Sequence, residues 1–233
     1  MSATENVLEK DPGHAPAGEP VRAVARAELR ADAIIHVLGV GASVAGGVWL
    51  IASTAAVGSV TLVTGVVIYA LTLCAALTFS ALYNTISHAR AKEILRRFDH
   101  SAIFLLIAGT YSPFMLAGIS DPWVAAVYTM LLTAMVAGIA IKFAMPRRFD
   151  KLAILLYLAM GWSGALILGP LSEVMSPHVL TLIGIGGALY SVGIVFHVWE
   201  RLPFQNAIWH AFVLAAAICH FGAVTAFAQG QLL

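Results

Sequence analysis

Residues 79–114 have the sequence FSALYNTISHARAKEILRRFDHSAIFLLIAGTYSPF, which shows how the rest of the chain is organised. An apolar segment ends in polar residues, a short basic linker follows, and a second apolar segment begins at Asp99 and His100. Two apolar segments joined in this way are typical of consecutive membrane-spanning helices. Polar and ionisable groups are costly inside a bilayer, so their accumulation at this edge indicates a functional site.

The composition outside this stretch is equally apolar. Of the 233 residues, 60% are hydrophobic and only 11% are charged, and the mean hydropathy is +0.89. Soluble domains carry about a quarter charged residues, so the sequence predicts an all-α, polytopic membrane protein. We expect seven spans in one bundle, with a flexible cytoplasmic tail over residues 1–31 and a membrane domain over 32–233. The predicted spans are residues 33–53, 59–83, 101–119, 123–143, 152–171, 179–197 and 208–229.

The cations predict the orientation of the bundle. The sequence contains thirteen Lys and Arg residues, and the connections near residues 54–58, 120–122 and 172–178, which lie on one side, contain none. By the positive-inside rule the N-terminus is cytoplasmic, and an odd number of spans puts the C-terminus outside. The cations are therefore a topology signal, and the net charge of +1 gives no reason to expect nucleic acid as a partner. We expect membrane lipids as partners and a bacterial inner membrane as the location.

Small residues predict where the helices approach each other. The first span contains GVGASVAGGVW and the sixth contains GIGGALYSVG. Glycine, alanine and serine allow close helix contacts within membranes, so we interpret both segments as packing surfaces rather than phosphate-binding loops.

Polar residues of several spans share one depth at the predicted cytoplasmic edge. Ser80, Asn84 and His88 recur every four residues, so they share one face of the second span if its helix continues that far. Asn206 and His210 have the same spacing at the start of span seven. Hydrogen bonding to water at the headgroup level explains any one of these residues, but together they predict a site. The residues at this depth are His36, Ser80, Asn84, His88, Asp99, His100, His197, Asn206 and His210.

Three of the segments that carry these residues resemble a known family. FSALYNTISH, FDHSAIFLLIAGTYSPF and NAIWHAFVLAAAICHFGAV resemble the signature segments of the hemolysin III family, which belongs to the progestin and adipoQ receptor superfamily with the adiponectin receptors. The resemblance implies a seven-helix bundle with a cytoplasmic N-terminus. It also implies a zinc site near the cytoplasmic face and a likeness to membrane hydrolases that act on lipid amides.

The sequence departs from the family's zinc ligands. The resemblance implies three ligand histidines, at positions occupied here by Asn84, Asn206 and His210. It also assigns Asp99 to holding a zinc-bound water, and Ser80 is retained, so both are candidate catalytic residues. An amide oxygen is a weak zinc ligand, and we therefore expect zinc to be weakly bound or absent.

Three forms of the site remain open at this point. In the first, five polar residues converge in a hydrogen-bonded network that replaces the metal: Ser80, Asn84, Asp99, Asn206 and His210. In the second, zinc is held by other ligands, among which His210, Asp99 and His88 are our candidates, with His36 and His197 as further possibilities. In the third, a harder cation is held by oxygen ligands, which Asp and Asn suit better than zinc.

The functional hypotheses differ in their chemistry. The first is lipid sensing or modification, or membrane homeostasis, through the polar site. The second is a ceramidase-like, metal-dependent lipid-amide hydrolase, in which a metal activates water and polarises the carbonyl. The third is a pore-forming cytolysin, as the family name suggests. A compact bundle with few interior charges has no evident lining for a water-filled pore, so the third hypothesis is ranked last.

Overall fold

The computed structural model describes residues 25–56, 58–145 and 147–231, and those residues form a helical bundle without a β-strand. Helices α5 and α6 are joined by a 3-10 helix, Ser163–Ile167, and together make one apolar segment, Asp150–Val174. The described residues thus contain seven helical segments long and apolar enough to cross a membrane, which confirms the predicted all-α fold with seven spans. The α-helices are α1 Arg26–Ala55, α2 Val60–Thr85, α3 Ala89–Ala117, α4 Pro122–Ala144, α5 Asp150–Trp162, α6 Leu168–Val174, α7 Pro177–Val198 and α8 Gln205–Gly230.

Two helices begin earlier than their apolar runs. Helix α1 begins at Arg26, so residues 26–31 of the predicted tail are helical, whereas residues 1–24 lie outside the described part. Helix α3 begins at Ala89, and the predicted basic linker is its first turns. Arg and Lys have high helix propensity, so a helix continues beyond the membrane where the hydropathy signal stops.

Helix α2 ends at Thr85, before the predicted stripe on its surface is complete. Of the three residues predicted to share one face of this helix, only Ser80 and Asn84 therefore do so. His88 lies beyond the helix, where it is the N-cap of α3 and its Nδ1 accepts a hydrogen bond of 3.4 Å from the backbone N–H of Ala91.

Short polar caps begin the helices at the end of the bundle that lacks cations. The Ser59 hydroxyl accepts a hydrogen bond from the backbone N–H of Leu62 at the start of α2. Asp121 caps α4 in the same way, and Ser176 caps α7. Side-chain oxygens at these positions satisfy backbone donors that the helix itself leaves unpaired.

Glycines bring the helices together at the predicted small-residue surfaces. In α1, a Cβ added to Gly47 would lie 3.4 Å from Ala70 of α2, and one added to Gly46 would lie 3.1 Å from Phe221 of α8. In α7, a Cβ added to Gly186 would lie 2.7 Å from the His220 ring of α8. These contacts confirm that both glycine-containing segments are packing surfaces.

The two ends of the bundle differ in charge. At the end where α1, α3, α5 and α8 begin and α2, α4 and α7 terminate lie the cations of the described residues, among them Arg96, Lys142, Arg147 and Arg201. We refer to it as the basic end. The polar residues singled out from the sequence are at this end too: His88 is the N-cap of α3, and each of the others lies in the half of its helix nearer this end.

Candidate functional site

A buried carboxylate contacts two histidines at the basic end. Asp32 and His36 lie one turn apart on α1, and His210 belongs to the second turn of α8. One carboxylate oxygen of Asp32 is 2.6 Å from Nδ1 of His210, and the other is 3.4 Å from Nε2 of His36. The two imidazole rings have centroids 4.4 Å apart. All three residues are buried, so their relative positions are held by the packing of α1 against α8.

Helix α2 adds two polar residues to this group. The Ser80 hydroxyl lies 3.5 Å from Nε2 of His210, on the opposite side of the ring from Asp32. The side-chain amide of Asn84 donates a hydrogen bond of 2.9 Å to the backbone carbonyl of Ser80. Asp99 of α3 lies close enough to interact with the Ser80 side chain and with the charge of His36. Four helices therefore meet at one polar group, which we call the polar cluster: Asp32, His36, Ser80, Asn84, Asp99 and His210.

The structure brings together four of the five residues predicted to converge, and His36 from the same depth joins them. Ser80, Asn84, Asp99 and His210 belong to the polar cluster. Asn206 is exposed, one turn before His210, in the lining of the cavity described below. His88 is exposed at the N-cap of α3 and is outside that lining.

Asp32 was missed by the sequence analysis, although a signal for it existed. The predicted first span begins after Asp32, where the apolar run starts, so it includes His36 without its partner. An Asp and a His at i, i+4 share one helix face, and both are buried here. A carboxylate directly before an apolar run can therefore lie within the helix and belong to a site, because the helix can begin well before that run.

The polar cluster contains a set of donors that fits a metal ion. Asp32, His36 and His210 each offer a ligand atom, and these atoms lie within 4.8 Å of one another, the one such Asp/His/His group among the described residues. One carboxylate and two imidazoles are usual zinc donors. The ligand positions implied by the family resemblance fit a metal less well, because the Asn84 amide donates a hydrogen bond to the Ser80 carbonyl and Asn206 is exposed. The metal ligands that fit best are therefore His210 and two residues of α1, Asp32 and His36, which take the place of the two asparagines.

A cavity of about 830 Å³ connects the polar cluster to the apolar half of the bundle. Its lining includes Asp32, His36 and His210 at one end and Leu171, Met175 and Leu180 toward the other. Its volume falls within the range typical of pockets that bind small molecules. A cavity that is polar at one end and mostly apolar over the rest of its length matches an amphipathic ligand.

A second ionic group joins three helices beside the cavity. The Asp150 carboxylate at the start of α5 lies 2.8 Å from an Arg96 nitrogen of α3 and 2.5 Å from Nζ of Lys142 on α4. Arg96 and Lys142 are 4% and 1% exposed. Nδ1 of His100 lies 4.0 Å from the same carboxylate. This ionic group, Arg96, His100, Lys142 and Asp150, holds the basic ends of α3, α4 and α5 against each other.

Comparison with known proteins identifies relatives of this chain. The family model described as "Haemolysin-III related" matches residues 28–221. The chain is 37% identical over 191 residues to "Hemolysin-3" of Bacillus cereus, which covers 82% of the chain and 87% of the relative. It is 36% identical over 191 residues to "Hemolysin-3 homolog" of Bacillus subtilis (strain 168), which covers 82% and 90%.

The chain is also similar to a human protein, at lower identity. The chain is 28% identical over 163 residues to "Monocyte to macrophage differentiation factor" of Homo sapiens, which covers 67% of each chain. The family model covers the seven-helix region apart from the first residues of α1 and the last turns of α8. The protein is an integral membrane protein, and the chain belongs to the haemolysin-III-related family.

Proposed function

We propose that this protein binds a membrane lipid in the cavity, with the acyl chain among apolar side chains and the polar group at the polar cluster. The observation that carries the proposal is the cavity itself, which joins buried Asp32 and His210 to apolar residues such as Leu171 and Met175. A lipid matches both environments, whereas a water-soluble ligand matches only one. The role is lipid sensing or modification in membrane homeostasis.

The proposed location is a cell membrane, specifically the bacterial inner membrane, with the basic end facing the cytoplasm. Two observations support it. The Lys and Arg residues of the described chain cluster at the basic end, as the positive-inside rule requires of a cytoplasmic face. Two of the relatives are Bacillus proteins.

Lipid binding is tested by blocking the cavity. Gly184 lines the cavity, and a Cβ added there would meet nothing within 4 Å, so Gly184→Trp introduces a large side chain without a clash at the backbone. Gly41 of α1 also has open space around its Cβ but is outside the lining, so Gly41→Trp is the matched control. The proteins are purified in mild detergent, and bound lipid is measured by native mass spectrometry. We expect the Gly184→Trp protein to lose lipid several-fold and the control to keep it.

Equal lipid occupancy in the two variants contradicts the proposal, as does wild-type protein that carries no lipid after reconstitution into vesicles and re-extraction. A thermal melt of each variant checks that the bundle is folded. Release of a vesicle-encapsulated dye by the wild-type protein would instead support the cytolysin hypothesis.

A metal-dependent lipid-amide hydrolase is the second candidate function. It is favoured by the Asp32, His36 and His210 donor atoms that lie within 4.8 Å of one another. A zinc ion in this group would lower the pKa of a bound water and polarise the amide carbonyl. Asp99, which lies beside Ser80 and His36, would accept a proton from the reacting water at its carboxylate.

The second candidate requires about one zinc ion per chain, measured by elemental analysis of protein purified without chelator. It also requires that His36→Gln lower this content strongly, because one of three ligands is removed. An exposed histidine outside the cavity, His178, provides the control variant His178→Gln. Zinc well below one per chain in wild-type protein supplied with zinc rules this function out.

A further inference from the structure

His210 lies between a carboxylate and a hydroxyl, each at a different ring nitrogen. Asp32 is 2.6 Å from Nδ1, and the Ser80 hydroxyl is 3.5 Å from Nε2. A carboxylate at Nδ1 fixes the hydrogen on that nitrogen and leaves the lone pair of Nε2 directed to the serine. This order of groups, hydroxyl, imidazole and carboxylate, is the arrangement by which serine hydrolases activate their nucleophile.

We propose that Ser80, His210 and Asp32 form a nucleophile, base and orienting carboxylate that hydrolyse an acyl ester of a lipid without a metal ion. The proposal rests on the proposed binding of lipid in the cavity, whose lining includes all three residues. The Ser80 to His210 distance of 3.5 Å is at the long end for a hydrogen bond, and such contacts commonly shorten when substrate binds.

Packing holds this group in place from three helices. Asp32 and His210 are 7% and 9% exposed, so neither moves freely. The second oxygen of Asp32 is 3.4 Å from His36, whose ring packs against that of His210 at 4.4 Å between centroids. His36 thus contacts both the carboxylate and the base.

The reaction proceeds through an acyl-enzyme. The Ser80 oxygen forms a bond to the ester carbonyl carbon while its proton passes to Nε2 of His210, and the carbon to alkoxy-oxygen bond then breaks as His210 returns that proton to the leaving alcohol. A water molecule attacks the acyl-serine in the same manner, releasing the carboxylic acid and restoring the Ser80 hydroxyl. The balance is one ester and one water to one acid and one alcohol, with no oxidant, reductant or metal.

The surroundings supply the other requirements. The cavity reaches exposed residues such as Asn206 at the basic end, where water enters. The Asn84 amide lies one turn from Ser80 in the same lining and uses one of its hydrogens on the Ser80 carbonyl. Its second hydrogen is a neutral donor for the oxyanion of the tetrahedral intermediate.

The test uses full-length protein in detergent, treated with a strong chelator and then dialysed. A p-nitrophenyl ester of a long-chain fatty acid reports hydrolysis, and a fluorophosphonate probe reports the reactive serine, which is located by peptide mass spectrometry. We expect hydrolysis to survive chelation, the probe to label Ser80, and Ser80→Ala to lower the rate by about a hundredfold or more. Ser53→Ala is the matched control, because Ser53 is exposed, lies outside the cavity and bonds only to the carbonyl of Leu50 in its own helix.

Three results overturn the proposal: labelling of another serine or of none, hydrolysis that disappears on chelation, or full activity in Ser80→Ala. Probe labelling of the wild-type chain decides the question even where Ser80→Ala does not fold. Lipid occupancy measured on the same wild-type sample separates the two proposals, because a protein that keeps bound lipid but neither labels nor hydrolyses retains the lipid-binding function and lacks this activity.

Discussion

At the residue scale, the positions of two asparagines account for the chemistry of the site. Asn84 donates to the Ser80 carbonyl, and Asn206 is exposed at the cavity edge, one turn from His210. Both replace histidines that the family resemblance implies as zinc ligands. An amide in place of an imidazole keeps a hydrogen-bonding group but removes a strong metal donor. We therefore expect the fold not to depend on a metal at these positions.

Restoring both histidines should create a zinc site of the family's type. We expect Asn84→His combined with Asn206→His to bind about one zinc ion per chain, because His210 and Asp99 are already in place. Elemental analysis measures the gain, and so does a rise in melting temperature on addition of zinc that a chelator reverses. His210→Gln in the double variant should abolish it. A double variant with no more zinc than wild type would show that α2 and α8 do not present these positions to a common point.

Glycine has a separate role at this scale, since it sets the distance between helices. A Cβ added to Gly65 of α2 would lie 2.6 Å from the backbone Cα of Pro113 and 2.9 Å from the Ser112 carbonyl oxygen in α3. Backbone atoms cannot rotate away as a side chain can. The contact therefore requires glycine at position 65.

We expect Gly65→Ala to lower the free energy of unfolding by about 2 kcal/mol, because α2 and α3 must separate to admit the methyl group. Thermal melting in a single detergent measures the change. Gly41→Ala is the control, since a Cβ added to Gly41 meets nothing within 4 Å, and it should leave the melting temperature unchanged or slightly raised. Equal stability of the two variants would mean that the α2–α3 contact is not tightly packed.

At the element scale, the basic ends of α3, α4 and α5 depend on one carboxylate. Asp150 lies against Arg96 and Lys142, which are nearly inaccessible to solvent. Removing one partner of a buried ion pair costs several kcal/mol, because the remaining charge is left without compensation. Asp150 has two such partners, so its loss affects two helices as well as its own.

Asp150→Asn should therefore be among the most destabilising polar substitutions in the bundle, by about 3 kcal/mol or more. The Glu93 carboxylate provides the comparison, because its ion pair with Arg147 is exposed, at 57% for Arg147 and 33% for Glu93. Glu93→Gln should change stability by less than about 1 kcal/mol. Chemical or thermal unfolding of both variants in one detergent measures the difference. Similar losses in the two would indicate that water reaches Arg96 and Lys142.

At the scale of the whole molecule, the odd number of spans separates the two ends of the chain. Helices α1 and α8 both begin at the basic end, so the C-terminal end of α8 lies at the opposite end of the bundle. We expect a reporter active only in the cytoplasm to work when fused before α1 and to fail when fused after α8. A reporter active only outside should give the opposite result. Cytoplasmic signals from both fusions would mean that one helical segment does not cross the membrane.

The polar cluster shows why sequence and structure contributed different parts of the site. Ser80, Asn84, Asp99 and His210 could be selected from the sequence, because each is a polar residue at the same depth of a predicted span. Asp32 could not be selected by hydropathy, since it precedes the apolar run that marked the first span. Asp150, the partner of Lys142 and Arg96, was also not predicted. The cations in the sequence indicate the orientation of the bundle, but they do not indicate which carboxylate they contact.

The membrane class, the seven spans, the glycine packing surfaces and the level at which polar groups accumulate all follow from the amino-acid sequence. Each depends on hydropathy, residue size or charge along a single helix, and those properties are local. Which polar groups touch depends instead on tertiary packing. The contacts of His210 with Ser80 and Asp32 join residues 130 and 178 positions apart. Such contacts depend on the rotation of each helix about its axis, which is set by packing against its neighbours.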